Sequence, residues 1–239
     1  MKKLKSLLFT LFLVVSANQL FAHALWIETK TAGNIGKSHE VKIYYGEYAT
    51  NEREETAKWY SDVKTFSLWL TAPGQEKVKL NTQEGDNFYG ATFTPEKDGV
   101  YTLTVVHEAK ELGGTTKYEF SSIASVAVGK AAEINLSPIA NSLKISAKEA
   151  KEFKNNTEVN VKAELNGKPL VNKPVSVFSP EGWTKEYTTD GNGNITFKPL
   201  WPGRYVLEVS NFEKTTGDHH GKTYSAIWQG ATSSFEVSK

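Results

Sequence analysis

The feature that most limits what this chain can fold into is a two-residue alternation, repeated in short runs and cut each time by Gly, Asn, Asp or Pro. GVYTLTVVHEA (99–109) shows it plainly, with Tyr101, Leu103, Val105 and His107 at every second position. Successive side chains of a strand point to opposite faces, so such a run buries one face and wets the other. An amphipathic helix would instead space its apolar residues by three and four. VKIYYGEYA (41–49), TFSLWLTAPG (65–74), NFYGATFTP (87–95) and YEFSSIASVAVG (118–129) read as strands on the same grounds. Short strands between turn residues, without intervening helical segments, point to sandwiches rather than βαβ units.

The second half repeats the theme in TEVNVKAELNGKPL (157–170), KPVSVFSP (173–180), TKEYTTDGNGNITFKP (184–199), GRYVLEVSNF (203–212) and YSAIWQGATSSFEVS (224–238). The expected fold is therefore all-β, with two tandem β-sandwich (Ig-like) domains. The first is expected over 23–130 and the second over 157–239, with a linker and connecting strands over 131–156. NEREETAKWY (51–60) is expected as a helical turn or charged loop, and AKEAKEFKNN (147–156) as a polar linker or short helix. Asp190 to Asn194, DGNGN, supplies residues that tolerate positive φ and so suits a hairpin turn. Its alternating oxygens also resemble a calcium loop, but the distal glutamate and the full loop spacing are missing. At sandwich spacing, Trp69, Trp183, Trp201 and Trp228 are expected to pack in cores or between domains.

Residues 1–22 read as a secretion signal. Lys2, Lys3 and Lys5 precede a nine-residue apolar run, Leu7 to Val15, too short to span a bilayer. Cleavage after Ala22 would make His23 the first mature residue, whereas cleavage after Ala24 would remove it. The expected location is the periplasm, without membrane insertion of the mature chain. No cysteine is present, which excludes disulfides and thiolate metal sites. With 28 basic and 27 acidic residues the net charge is +1, so no nucleic-acid partner is expected. No GxSxG elbow or paired-carboxylate pattern stands out, and the chain is expected not to be an enzyme.

Chemistry then rests on the five histidines. His39 follows GKS and reads as a solvated loop residue. His107 shares a strand face with Tyr101, Leu103 and Val105, either as a hydrogen-bonded rim residue or as a ligand. His219 and His220 lie in the polar segment EKTTGDHHGKTY (213–224), where one imidazole is expected to be free to meet a partner. His23, as a mature N-terminus, would offer an amine and a ring nitrogen that close a chelate ring on one residue. Neutral imidazole suits Zn, Cu, Fe and Ni alike. Glu28, Glu47, Glu52, Glu54 and Glu55 read mostly as solvated charges, with Glu47 as an outside candidate ligand.

Two resemblances extend this reading. The stretch GKPL…TTDGNGNITF…PGRYVLEV resembles carboxypeptidase-regulatory-like and transthyretin-like β-sandwich modules, which carry a fold and many unrelated functions. The order of HALWIE after the signal, YEFSSIASVAVG, that module and the closing ATSSFEV resembles an exported domain-of-unknown-function family that includes NikK-like periplasmic components of nickel and cobalt uptake systems. The resemblance implies that His23 begins the mature protein and ligates a metal, that Trp26 packs, and that the partner is a membrane metal importer. Many relatives carry a histidine where this chain has Glu47, a harder donor. The expected cofactor is thus a divalent transition-metal ion (Ni, Co, Cu or Zn), with His23, His107, His219, His220 and Glu47 as candidate ligands. The competing expectation is a non-catalytic envelope module that binds protein or glycan through its aromatics.

Overall fold

The structure is a computed structural model that describes residues 23–129, 132–134 and 142–239. The predicted signal segment and most of the connection around 135–141 lie outside the described residues. The principal strands of the first half are β1 (Ala24–Thr29), β2 (His39–Gly46), β3 (Leu68–Thr71), β4 (Tyr89–Phe93), β5 (Gly99–Glu108) and β6 (Thr116–Val128). Those of the second half begin with β7 (Leu143–Ala147), β8 (Val159–Leu165), β9 (Pro174–Phe178) and β10 (Thr184–Thr188). They end with β11 (Asn194–Phe197), β12 (Gly203–Glu213) and β13 (Ala226–Ser238).

One ten-stranded sheet runs through both halves, in the order β10-β9-β12-β13-β6-β5-β3 and on to Val78–Leu80. Its neighbours are antiparallel except at the centre, where β13 runs parallel to β6 from Ala226↔Thr116 to Ser234↔Ala124, and at two short flanking pairs. A parallel pair needs a long crossover. Here the whole second sandwich is that crossover, so the two halves share a sheet.

Side-chain parity puts the two cores on opposite faces of it. Even residues of β6, among them Phe120, Ala124 and Val126, enter the first core with Leu25, Ile27, Val41 and Ile43 of the β1-β2-β4 sheet. Odd residues of β13, Ala231, Phe235 and Val237, enter the second core with Leu143, Ile145 and Val161 of the β7-β8-β11 sheet. Ser122 and Thr232 stand side by side in the parallel register, and their hydroxyls bond each other at 2.9 Å. Even positions of both strands therefore share a face. Each fully buried large aliphatic side chain in these cores contributes about 1.5–3 kcal/mol.

The first strand lies across the seam. Thr232 donates to the Leu25 carbonyl at 2.7 Å, the Ile27 amide donates to the Ser122 hydroxyl at 3.1 Å, and Ser234 donates to the Ile27 carbonyl. Arg204 reaches the Thr29 carbonyl at 3.0 Å. Hydroxyls inside the sheet face thus satisfy backbone groups of β1 that would otherwise be buried without partners. On the outer face of β1 and β2, Trp26 and Tyr44 pack with Phe178 and Val206 of the second half.

Some local expectations need correction, whereas the turns expected at 51–60 and 190–194 are present. The 147–156 segment is neither helix nor solvated linker: Glu149–Ala150 and Phe153–Lys154 are short strands, and Ala147, Ala150 and Phe153 are buried. Ala147 and Phe153 belong to the second core instead of lining a helix. The 51–60 segment holds a single 3-10 turn, Thr56–Lys58. The fully packed tryptophans are Trp26 and Trp59, at 1% and 4% exposure, whereas Trp183 is 40% exposed. His39 opens β2 and is buried, its Nε2 bonding the Thr29 hydroxyl at 2.9 Å and the Lys30 carbonyl at 3.1 Å. Asp190 caps its own turn, its Oδ1 accepting from the amides of Asn192 and Asn194, both at 2.8 Å.

Candidate metal centre

The centre is built where β2 leaves the sheet. Gly46 has φ 149°, and a Cβ there would lie 2.5 Å from the Glu52 carbonyl oxygen, so only glycine allows the chain to turn back so closely. The turn is closed by a reciprocal pair, the Glu47 amide to the Glu52 carbonyl at 3.2 Å and the Glu52 amide to the Glu47 carbonyl at 2.9 Å. The Glu54 amide then bonds the Tyr45 carbonyl at 2.9 Å. On the other side, the β1–β2 ladder begins at Ala24↔Gly46, which sets His23 beside this fold-back. His23 stacks on Tyr45 with ring centroids 5.4 Å apart.

His23 Nε2 lies 3.1 Å from Glu54 Oε1 and 4.0 Å from Glu52 Oε1. Among the described residues, these form the one group of three His or carboxylate side chains with donor atoms all within 4.8 Å. The ring is 38% exposed at its edge, yet Nε2 itself is shielded from solvent and makes no hydrogen bond of good geometry. Two carboxylates converge on a nitrogen that neither bonds well.

Further carboxyl groups lie behind. Glu47 is buried and accepts from the Ala49 amide at 3.3 Å. Burial raises its carboxyl above the ordinary value, the Ala49 bond and His23 oppose this, and Glu52 adds to it. Burial, with the field of Glu47 added, pushes Glu208 up to about 8. Burial is the chief cause that disfavours charge on both groups, and the neighbouring carboxylate adds to it.

The remaining predicted ligands sit elsewhere, with protein partners. His107 Nε2 meets Asp62 Oδ1 at 3.2 Å, and the same oxygen accepts from the Lys110 amide at 2.8 Å. Burial acts to raise the Asp62 carboxyl, but the Lys110 amide, His107 and Ser61 outweigh it and hold the group below its ordinary value. His219 is buried in a hairpin between Gly217–His219 and Lys222–Tyr224, its Nε2 donating to the Ala109 carbonyl at 2.8 Å and its Nδ1 3.3 Å from Glu108. His220 takes the turn with φ 50°, exposed and edge-on to His219. The structure thus joins His23 to Glu52 and Glu54, sets Glu47 nearby, and leaves His107, His219 and His220 outside the group. Glu52 and Glu54 were read only as solvated charges. Their two-residue spacing after a hairpin strand was the available signal.

The pattern of a family described as Domain of unknown function (DUF4198) matches residues 20–213. The chain belongs to that family. The matched span of this DUF4198 protein ends with β12, and the seam strand β13 falls beyond it. No curated protein matches the DUF4198 chain. Among solved structures, it is similar to a two-domain fibronectin type-III segment of chicken tenascin, at 14% identity over 85% of this chain and 95% of that one, TM-score 0.25. A Ca2+-stabilized adhesin with which an Antarctic bacterium binds ice matches at 12% identity over 90% of this chain, TM-score 0.25. The native E. coli alpha-2-macroglobulin matches at 10% identity over 89% of this chain, TM-score 0.26. The DUF4198 chain spans 49% of the adhesin chain and 14% of the macroglobulin.

The donor set of the DUF4198 centre is one imidazole nitrogen and two carboxylates, without sulfur. That set suits borderline divalent ions such as Ni, Co, Cu or Zn better than soft ones. Three donors with Glu52 partly open to solvent leave coordination positions free, as an exchangeable site requires.

Proposed function

We propose that the protein captures a divalent transition-metal ion in the cell envelope and hands it to a membrane importer, acting as a carrier rather than an enzyme. The observation that carries this reading is the convergence of His23 Nε2, Glu52 and Glu54 within 4.8 Å around a nitrogen without a proper hydrogen-bond partner. Removal of a signal after Ala22 adds the His23 amine to the same corner. The likeness of HALWIE and the closing strands to the NikK-like components supports nickel or cobalt as cargo. The oxygen donors at positions 47, 52 and 54 keep copper and zinc in the comparison.

Export followed by intact-mass and elemental analysis tests the reading. A chain beginning at His23 with about one equivalent of metal is expected. His23→Ala lowers affinity at least tenfold in equilibrium dialysis, about 1.4 kcal/mol or more. Unchanged affinity in that variant removes the centre from the argument. A chain that takes up no ion would favour a non-catalytic envelope module instead, for which the exposed Trp183, packed edge-on to Trp201 at 6.1 Å, is the surface to pursue.

A further inference from the structure

The acidic corner opens into a cleft of about 570 Å³ whose wall includes His23 and Glu54. That volume is in the range of sites for small organic molecules and is far more than a bare ion needs. Its floor is a row of rings. Phe212, Trp228 and Tyr118 stand opposite one another in register on β12, β13 and β6, on the face of the central sheet that β1 covers farther along. Two glycines let these rings lie down. A Cβ on Gly230 would sit 2.2 Å from the Trp228 ring, and one on Gly113 would sit 2.4 Å from the Tyr118 ring.

The cleft is apolar on its floor and polar at its edges. Phe212 is 54% exposed, an unusual degree for a large ring beside two others. The hydroxyls of Tyr45 and Tyr118 and the indole N–H of Trp228 have no hydrogen-bond partner among the described residues, and all three residues line the cleft. Lys58 supplies a positive charge at the rim, paired with Glu55 at 3.1 Å. A flat ring lying on the row, with polar atoms at its edge, satisfies both halves of this surface. Two of the candidate donors, His23 and Glu54, are part of the same wall.

We propose that the cleft receives the ion as a chelate with a flat heteroaromatic carboxylate, the ring on the Tyr118–Trp228–Phe212 row and the metal at His23 and Glu54. The inference rests on the metal-capture reading for its charged end and on the ring row for the rest. The protein's three donors leave positions for a bidentate chelator, and the stacking surface discriminates a chelated ion from a hydrated one.

Calorimetric titration of the exported chain with nickel, with pyridine-2-carboxylate, and with the equimolar nickel–pyridine-2-carboxylate complex tests it. The complex is expected to bind at least tenfold more tightly than nickel alone. Phe212→Ala, whose ring is exposed, and Trp228→Ala abolish that advantage and leave the affinity for nickel alone unchanged. Nickel binding that is equal with and without the chelator, or stripped from the protein by it, overturns the chelate while leaving metal capture intact. No binding of nickel in either form overturns both.

Discussion

His23 and His219 sit in contrasting corners of the same molecule, and the contrast is one of partners rather than of residue type. His219 is 5% exposed, gives its Nε2 hydrogen to the Ala109 carbonyl and faces Glu108, which Lys117 also holds at 2.6 Å. His107 is likewise engaged by Asp62. At His23 the nitrogen is shielded, two carboxylates approach it, and none forms a proper hydrogen bond. A histidine whose polar atoms are already matched is part of the fold. One held against unmatched carboxylates has capacity left for a ligand.

The largest effect that would sharpen this contrast is on metal affinity. His23→Ala and Glu54→Gln are each expected to weaken binding at least tenfold, whereas His107→Ala and His219→Ala stay within about twofold, since 1.4 kcal/mol separates each decade. Equilibrium dialysis against nickel or cobalt reads all four. An equal loss in His219→Ala would dissolve the contrast and bring the hairpin back as a ligand source.

Stability should run the other way. His219→Ala leaves the buried Ala109 carbonyl without its donor, a loss of about 1–3 kcal/mol. His23→Ala in the metal-free chain removes a half-exposed ring and should stay within about 0.5 kcal/mol. Urea unfolding of the two variants reads the difference, and a larger loss at His23 would reverse the assignment. Asp62→Asn should be smaller than His219→Ala, about 0–1 kcal/mol, because the pair is partly solvated. Asp62 is held below its ordinary value, so its contribution is present above that value and fades as pH falls through the folded one. In Asp62→Asn that acid-side loss should disappear.

The strands were legible from the alternation of Tyr101, Leu103 and Val105, which are all buried, but the wet second face was not: Thr102 and Thr104 between them are buried as well. The shared sheet was not legible either. It depends on β13 finding β6 from the far end of the chain, and local alternation carries no information on such pairing. Ser122, Thr232 and Ser234 are polar yet buried, because β1 lends them backbone partners that come from far away in the chain. Glu52 and Glu54 were hidden for a related reason. A charge run after a strand is normally solvated, and only the Gly46 turn and the Ala24↔Gly46 register bring these two against His23. His23 itself was found from its position in the sequence. The aromatic cleft was missed because Phe212, Trp228 and Tyr118 come from three separate strands.

His39 gives the smallest effect and a third environment, buried but neutral in its bonding. Its Nε2–H can serve the Thr29 hydroxyl and the Lys30 carbonyl without a positive charge. Burial is the chief cause that lowers its ring below the ordinary value of 6.5, with Lys30 charge adding to this and the Lys30 carbonyl and Glu236 opposing it. The unfolded chain therefore binds more protons than the folded one between the lowered value and 6.5, and stability rises with pH through that window. Above it, nothing is lost to this residue; below it, part of the stability is gone. In His39→Gln the difference between urea midpoints at about pH 5 and pH 7 should narrow, because the residue no longer titrates. A slope that persists unchanged would make His39 a packed polar residue with no share in the pH response.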